Sequence, residues 1–307
     1  MNSATRFLND PRQNRLFAAL AEAEFDRLRP ALEPAQWRTG QVLCESGAPL
    51  THVYFPTTAI VSLLYMTQGG GSAEVAVVGN DGVVGVSLFM GGNATPIQAV
   101  VQSAGQGFRM RAEAVRAEID EAGPALKLML HYAQAMLAQV AQTAMCNRYH
   151  SIDQQLARRL LLALDRSPSD GVEMTQEALA HVLGVRREGV TAAALKLQTA
   201  GVIRYSRGHI AVLDRARLEH HTCECYASVR KEYDRLLPPL CILAMTTPQP
   251  RPASAGVSTA TPRVSRPHVA AKRLVNDKAP VFDGLGILTA LGRHWGVEAA
   301  PVAVAVA

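Results

Sequence analysis

The spacing of apolar residues changes character several times along the chain. At the start, Asp10-Pro11 has the form of a helix cap followed by proline at the first helical position. Leu16, Phe17 and Leu20 then fall on one helical face, and a second short helix is predicted from Glu22 to Leu28, stopping before Pro30. From Trp37 to Met110 the chain becomes a succession of short runs rich in β-branched and aromatic residues: His52 to Phe55, Ala59 to Met66, Val75 to Val78 and Ile97 to Val101. Turn signals at Gly40, Gly47, Gly69 to Gly71, Gly79 to Gly82 and Gly91 to Asn93 separate them. Short strands at such spacing predict an antiparallel roll or jelly roll.

A long helix is predicted over residues 125–149, after Pro124. Leu126, Leu130, Ala133, Leu137, Val140 and Ala144 step by four and three, which is a heptad seam. Met129, Tyr132 and Met136 lie off that seam and are available to pack on the β domain. A helix with two apolar faces needs two partners, so the seam is expected to meet its counterpart in a second subunit. Ile152 to Leu164 reads as a further helix, ending in the turn-rich Ser167 to Gly171.

The next stretch changes rhythm again. Thr175 suits the cap of a helix containing Ala178, Leu179 and Val182, and Gly184 suits its left-handed end. A second helix runs from about Arg186 to Thr199, with Val190, Ala193 or Ala194, and Leu197 facing inward and Gly201 ending it. Two helices joined by a short glycine-containing turn make a helix-turn-helix. Val202 to Tyr205 and His209 to Leu213, around the turn Ser206-Arg207-Gly208, predict a β-hairpin, here a wing.

Charge sharpens this reading only locally. The net charge of +5 is uneven: 11 Lys/Arg against 12 Asp/Glu in residues 1–150, 13 against 11 in residues 151–237, and 7 against 3 in residues 238–307. Most of the excess is in the tail, where Arg263, Arg266, Lys272 and Arg273 could add nonspecific DNA affinity. Residues 186–207, however, carry Arg186, Arg187, Lys196, Arg204 and Arg207 against Glu188 alone. Arginine matches guanine O6 and N7, and glutamate accepts from the cytosine amino group, at the helix start that reaches base edges in this motif. Arg204 and Arg207 on the hairpin suit phosphates. Thr175, Thr191 and Ser206 complete the expected DNA-contacting set.

In this order the segments resemble the Crp/Fnr transcription regulators. The specific part is Met174 to Ala180, Leu183 to Val190 and Ala200 to Gly208; the resemblance covers roughly residues 12–237. It implies that Arg187 and Glu188 are the base-contacting pair. A further arginine that many members carry is Ala192 here, so the resemblance does not carry over the exact DNA sequence read. It also implies a homodimer on a near-palindromic double-stranded operator and contact with RNA polymerase. Cyclic-nucleotide-binding members carry Gly-Glu and Arg-Ser or Arg-Thr; the matching positions here are Gly85-Val86 and Thr95-Pro96, without carboxylate or guanidinium. A buried phosphate without its cation is costly, so Gly85, Val86 and Thr95 mark a degenerate effector pocket with weak or no cyclic-nucleotide binding.

The expected fold is α+β: a sensor roll (1–123), a dimerisation helix (124–150), a winged helix-turn-helix (151–237) and a disordered tail (238–307). No cysteine precedes Cys44, so the N-terminal iron–sulfur ligation of the oxygen-sensing branch is absent. Haem through His52 or His131 stays open, each being read first as a packed histidine. Cys223-Glu-Cys225 is half a metal site at most, with His220 and His221 beside it; packing is the preferred reading and no metal or other cofactor is expected. Glu113, Glu118, Asp120 and Glu121 read as a solvated helical patch. Phosphate-loop, serine-hydrolase and zinc-protease motifs are missing, so a regulator and not an enzyme is expected. An inward metal site in the roll is disfavoured, His52 being its only histidine. The competing reading is a ligand-sensing module acting through protein contacts, with vestigial DNA binding. Without an export signal or a membrane span the protein is expected in the cytoplasm.

Overall fold

Caps and glycine turns set the element boundaries of the N-terminal half. The computed structural model describes residues 10–69, 71–166, 171–206 and 208–237. Asp10 caps a 3-10 turn, Pro11–Gln13, and Asn14 caps helix α1, Arg15–Ala18. Asn14 breaks what reads as one helix in the sequence. Its buried amide donates to the carbonyls of Pro56 and Gly82, 2.8 Å each, while its side-chain oxygen accepts from Leu16 N. Helix α2, Glu22–Leu28, follows, and Phe17 brings the lead onto the roll with its ring 4.4 Å from that of Phe55.

Seven strands form two antiparallel sheets. They are β1 (Glu33–Trp37), β2 (Val42–Cys44), β3 (His52–Pro56), β4 (Ile60–Met66), β5 (Ser72–Val78), β6 (Ile97–Ser103) and β7 (Gly105–Arg111). Their order is β1-β7-β3 in one sheet and β2-β6-β4-β5 in the other. Val53, Phe55, Ile60, Val61, Val78 and Val101 are buried in the core between them. Gly107 pairs with Ala35 and Pro56 across β7's two neighbours. A Cβ there would lie 2.4 Å from the Phe55 carbonyl oxygen, so no side chain fits. Helix α3, Ala112–Glu121, closes the roll. Its Glu118 is not solvated as the charge pattern suggested: it is buried and accepts two bonds from the Arg27 guanidinium, at 2.6 and 3.0 Å.

Helix α4, Pro124–Tyr149, spans 26 residues. Met129, Tyr132 and Met136 are buried, as their position off the seam predicted. Of the seam itself, Leu130, Leu137 and Ala144 are exposed, Leu126 and Val140 half-buried, and Ala133 buried. Ala133 is the correction: its small side chain sits within the roll's reach and is covered by the chain's own β domain.

Helix α5, Ile152–Leu164, starts at a Ser151/Gln154 capping box and is buried continuously from Gln155 to Ala163. Strand β8 (Gly171–Glu173), helix α6 (Gln176–Leu183), helix α7 (Arg187–Thr199), strands β9 (Ile203–Ser206) and β10 (His209–Val212), and helices α8 (Arg215–His220) and α9 (Glu224–Leu236) complete the described chain. The wing is a three-stranded sheet, β8-β10-β9, and not the two-stranded hairpin expected, because β8 adds to the free edge of β10. Helix α6 packs on β5, which docks the C-terminal domain against the roll. Residues 238–307, read as a disordered tail, and Arg207 lie outside the described residues. No helix among the described residues is long and apolar enough to cross a membrane.

Candidate nucleic-acid interface and sensor cavity

The two helices of the turn motif are set by local chemistry. Thr175 accepts from Ala178 N at 3.1 Å, and Gly184 takes φ 64 at the end of α6, a left-handed conformation that glycine adopts without strain. Three residues later α7 begins, with Arg186 as its cap residue and no side chain satisfying its first N–H groups. Those donors and the helix dipole leave a positive end open to anions. Val190, Ala193, Ala194 and Leu197 are buried, so the opposite face carries Arg187, Glu188, Thr191, Ala192 and Leu195 into solvent. Gly189 lets this helix approach α5, since a Cβ there would lie 2.7 Å from Ile152 Cδ1.

The predicted contact residues do not all share this face. Arg187, in a loose ion pair with the exposed Glu177 at 3.8 Å, and Glu188 project into solvent at the helix start. Thr191 is one turn along, its hydroxyl facing Gln176 Oε1 at 2.8 Å and the Arg187 carbonyl at 3.0 Å. Lys196 is drawn sideways to Asp153 at 2.7 Å. Arg204 and Ser206 are exposed on β9, whose Tyr205 donates to the Met174 carbonyl at 3.1 Å and fixes the wing on the motif. Burial raises the Tyr205 phenol's pKa, keeping it the donor. Thr175 lines a cleft of about 580 Å³ between α6 and the roll, with Thr39, Ser62, Gln102, His181 and His209. The sequence reading did not single out Gln176 or His209; their positions beside α7 and on the wing depend on tertiary packing.

A second cavity, about 230 Å³, lies between the roll and α4. It brings Gly85, Val86 and Thr95 together with Cys44, Leu63, Met90, Ile97, Ala133, Met136, Leu137 and Val140. Gly85 has φ 90 and opens a 3-10 turn, Val86–Met90. Among the described residues no charged side chain lines this cavity. His52 and His131 are not among its lining residues. The His52 Nδ1 faces Thr51 Oγ1 at 3.0 Å.

Two buried ion pairs connect the roll to the C-terminal domain. Arg159 of α5 meets Glu74 of β5, its Nη2 2.8 Å from Oε2. Arg166 meets Asp81 at 2.8 Å and Gln139 of α4 at 3.0 Å, and lies over the Tyr233 ring. Burial opposes the Arg166 charge, but Asp81, Tyr233, Asp165 and Tyr132 around it together more than offset this, and the guanidinium's pKa is raised. The Cys223/Cys225 pair does not group with its sequence neighbours. His220 is exposed, with Nδ1 2.7 Å from the Ala216 carbonyl, and His221 is exposed. The pair instead meets Cys146 and His150 at the end of α4.

Comparison with known proteins agrees with this architecture. The model of a cyclic nucleotide-binding domain matches residues 34–122, and that of a Crp-like helix-turn-helix domain matches residues 154–221. Among solved structures, the chain is similar to a regulator described as a putative member of the Crp/Fnr family from Eubacterium rectale, with TM-score 0.53 and 18% identity, covering 67% of this chain and 96% of that one. FixK2 from Bradyrhizobium japonicum gives TM-score 0.53 and 16% identity, with 62% and 98% covered. A CRP-family transcriptional regulator from Thermus thermophilus gives 0.52 and 18%, with 61% and 95% covered. At such identities these likenesses bear on the fold. No curated protein sequence matches the chain.

Proposed function

Since the chain belongs to the Crp/Fnr family of DNA-binding transcription regulators, we propose that it acts as a homodimer that reads a near-palindromic operator through Arg187 and Glu188. The observation that carries this reading is the exposed start of α7, where these two side chains project from a helix whose other face is buried. Arginine and glutamate there favour guanine and cytosine edges. Arg186, Arg204 and Ser206 flank them for phosphate contact, and Arg207 extends the same basic set in sequence. Ala192 removes one further reader, so the operator is expected to be shorter in specified bases than one read by three side chains.

Dimerisation through α4 is supported by Leu130 and Leu137, both exposed large apolar residues on one stripe. Two copies of α7 then enter successive major grooves about 34–36 Å apart. Family membership supports contact with RNA polymerase. The uncharged lining of the cavity beside α4 supports an effector without a phosphate, because a buried phosphate with no cation is unfavourable. Haem, iron–sulfur and a tightly held cyclic nucleotide have no support in that lining.

The test is fluorescence anisotropy with the full chain on duplexes from the region upstream of its own gene, against scrambled duplexes of equal length. Specific binding at least about 10³-fold tighter than nonspecific binding, weakening steeply with salt, is expected. Equal affinity for all duplexes overturns the reading and leaves a module that signals through protein contacts.

A further inference from the structure

We propose that Cys146, His150, Cys223 and Cys225 form a structural zinc site that clamps the end of α4 to the start of α9. The four ligand atoms lie within 4.8 Å of one another, and no other group of three or more metal-ligating side chains is found among the described residues. Cys146 Sγ is 3.6 Å from Cys223 Sγ, and Cys225 Sγ is 3.5 Å from His150 Nδ1. Zinc bonds of about 2.3 Å to sulfur and about 2.0–2.1 Å to nitrogen give tetrahedral edges of about 3.8 Å and about 3.6 Å. Of the six edges of the cluster, these two are therefore close to those of a metal-centred tetrahedron, and none exceeds 4.8 Å. A disulfide is bonded at about 2.05 Å, and one between Cys146 and Cys223 leaves His150 and Cys225 without a role.

Three independent features surround the cluster. First, the His150 Nε2 is 3.3 Å from Glu224 Oε1. A carboxylate on Nε2 holds the proton there and leaves the Nδ1 lone pair facing the sulfurs, which is how metal-bound histidines are oriented. Second, Arg158 is buried, makes no ion pair among the described residues, and has a buried Nε without a hydrogen-bond partner. Its one side-chain bond is to Thr143 Oγ1, 2.9 Å. Among the described residues the other two buried arginines, Arg159 and Arg166, each pair with a carboxylate; the charge of Arg158 interacts first with Cys146, Cys225 and Cys223 and less with Glu74. Third, Cys223 caps and Cys225 lies in the first turn of the 13-residue α9, whose positive N-terminal end favours the net negative charge of a metal–thiolate group.

The charges then balance. Binding displaces three thiol protons to solvent with no electron transfer. Three thiolates and a divalent ion sum to −1, and Arg158 supplies +1. Four protein ligands leave no open position, so the site is structural and not catalytic. Ligand atoms this close hold one ion and not a multi-iron cluster. Cys146 is in the last turn of α4 and His150 caps it, with Ser151 and α5 directly after them. Cys223 and Cys225 begin the helix that packs back along α4. The metal thus closes a loop around the whole C-terminal domain and fixes it against the dimer helix.

The experiment uses the full chain, purified reduced and without chelators, with metal content measured by mass spectrometry. About one zinc per chain is expected. Cobalt loaded in its place should show intense visible bands of a tetrahedral ion and sulfur-to-cobalt charge transfer. Cys225→Ser and His150→Ala should lose the metal, while Cys44→Ser keeps it. Should the cysteine variants misfold, Glu224→Ala decides, since that side chain is 77% exposed and its loss leaves the fold intact. It should weaken zinc affinity about tenfold. Protein that carries no zinc and gives no cobalt spectrum overturns the proposal, as does iron in the site or a Cys146–Cys223 disulfide in protein isolated under anaerobic conditions. Any fall in operator affinity on zinc removal rests on the DNA-binding reading; metal content does not, so the two can fail separately.

Discussion

Replacing Leu137 with aspartate tests the subunit interface most directly. The Leu137 side chain is 64% exposed in the single chain, although it stands in the middle of a long apolar helix. Full burial of a leucine is worth about 1.5–3 kcal/mol, so covering the exposed share in both subunits of a symmetric pair contributes about 2–4 kcal/mol. Leu137→Asp forfeits that contribution and sets two carboxylates on facing helices. A loss of 2–4 kcal/mol raises the dimer dissociation constant by about 30- to 1000-fold. Sedimentation equilibrium over a concentration series reads the shift, and circular dichroism checks that helix content is unchanged. If the variant stays as dimeric as wild type across the series, or wild type itself is monomeric at high concentration, the α4 seam is not the interface.

Three further outcomes follow from particular contacts. Arg187→Ala should cost about 1–3 kcal/mol at the specific operator and relax base preference there; unchanged affinity for the operator in a binding titration would show that another element reads the bases. Glu74→Gln strands the buried Arg159 charge and should lower stability by about 3–5 kcal/mol in denaturant unfolding, whereas a change below 1 kcal/mol would mean the pair is not buried in solution. Burial lowers the His52 pKa from its usual value, and its buried Nε2 has no hydrogen-bond partner. The unfolded chain therefore takes up a proton that the folded chain resists, so stability falls as pH drops below about 6.5 and this contribution is intact above it. His52→Gln should flatten that acid slope in thermal melts; an unaltered slope assigns it to other groups.

The parts of this fold that were legible in the sequence are those fixed within a few residues. The Thr175 cap, the left-handed Gly184 and the Gly201 and Gly208 turns act locally, and the helix-turn-helix falls where they put it. Ile152–Leu164 follows from spacing and its capping box, and Glu22–Leu28 from spacing and the proline after it. What was not legible depends on residues far apart in the chain. Glu118 belongs to a charged patch by sequence and is buried only because Arg27, 91 positions earlier, reaches it. Cys223 has histidines beside it in the chain, yet its neighbour in space is Cys146, 77 positions away. The strand Gly171–Glu173 is three residues long and carries no periodicity of its own; β10 makes it a strand. Ala133 obeys the heptad spacing, but the roll covers it from the other side.

Two buried arginines, Arg159 and Arg166, decide how the two domains are joined. Apolar residues of similar volume would stabilise this junction as well or better, since desolvating an ion pair offsets most of its attraction. Apolar contact, however, tolerates sliding, and a guanidinium facing a carboxylate does not. Arg159 is held to Glu74 on β5, and Arg166 to Asp81 just beyond β5 and to Gln139 on α4. Asp81 precedes by a few residues the segment Val84 to Ser87 that walls the cavity beside α4. Gly82 lies between them, and a Cβ there would lie 2.2 Å from the Tyr132 hydroxyl, so this loop is pressed against α4 without slack. A shift of the cavity wall therefore moves Asp81 or is resisted by it, and Arg166 moves with Asp81 because separating them leaves a charge unpaired in the interior. The register of α7 relative to the cavity beside α4 rests on these directional bonds more than on the area of contact.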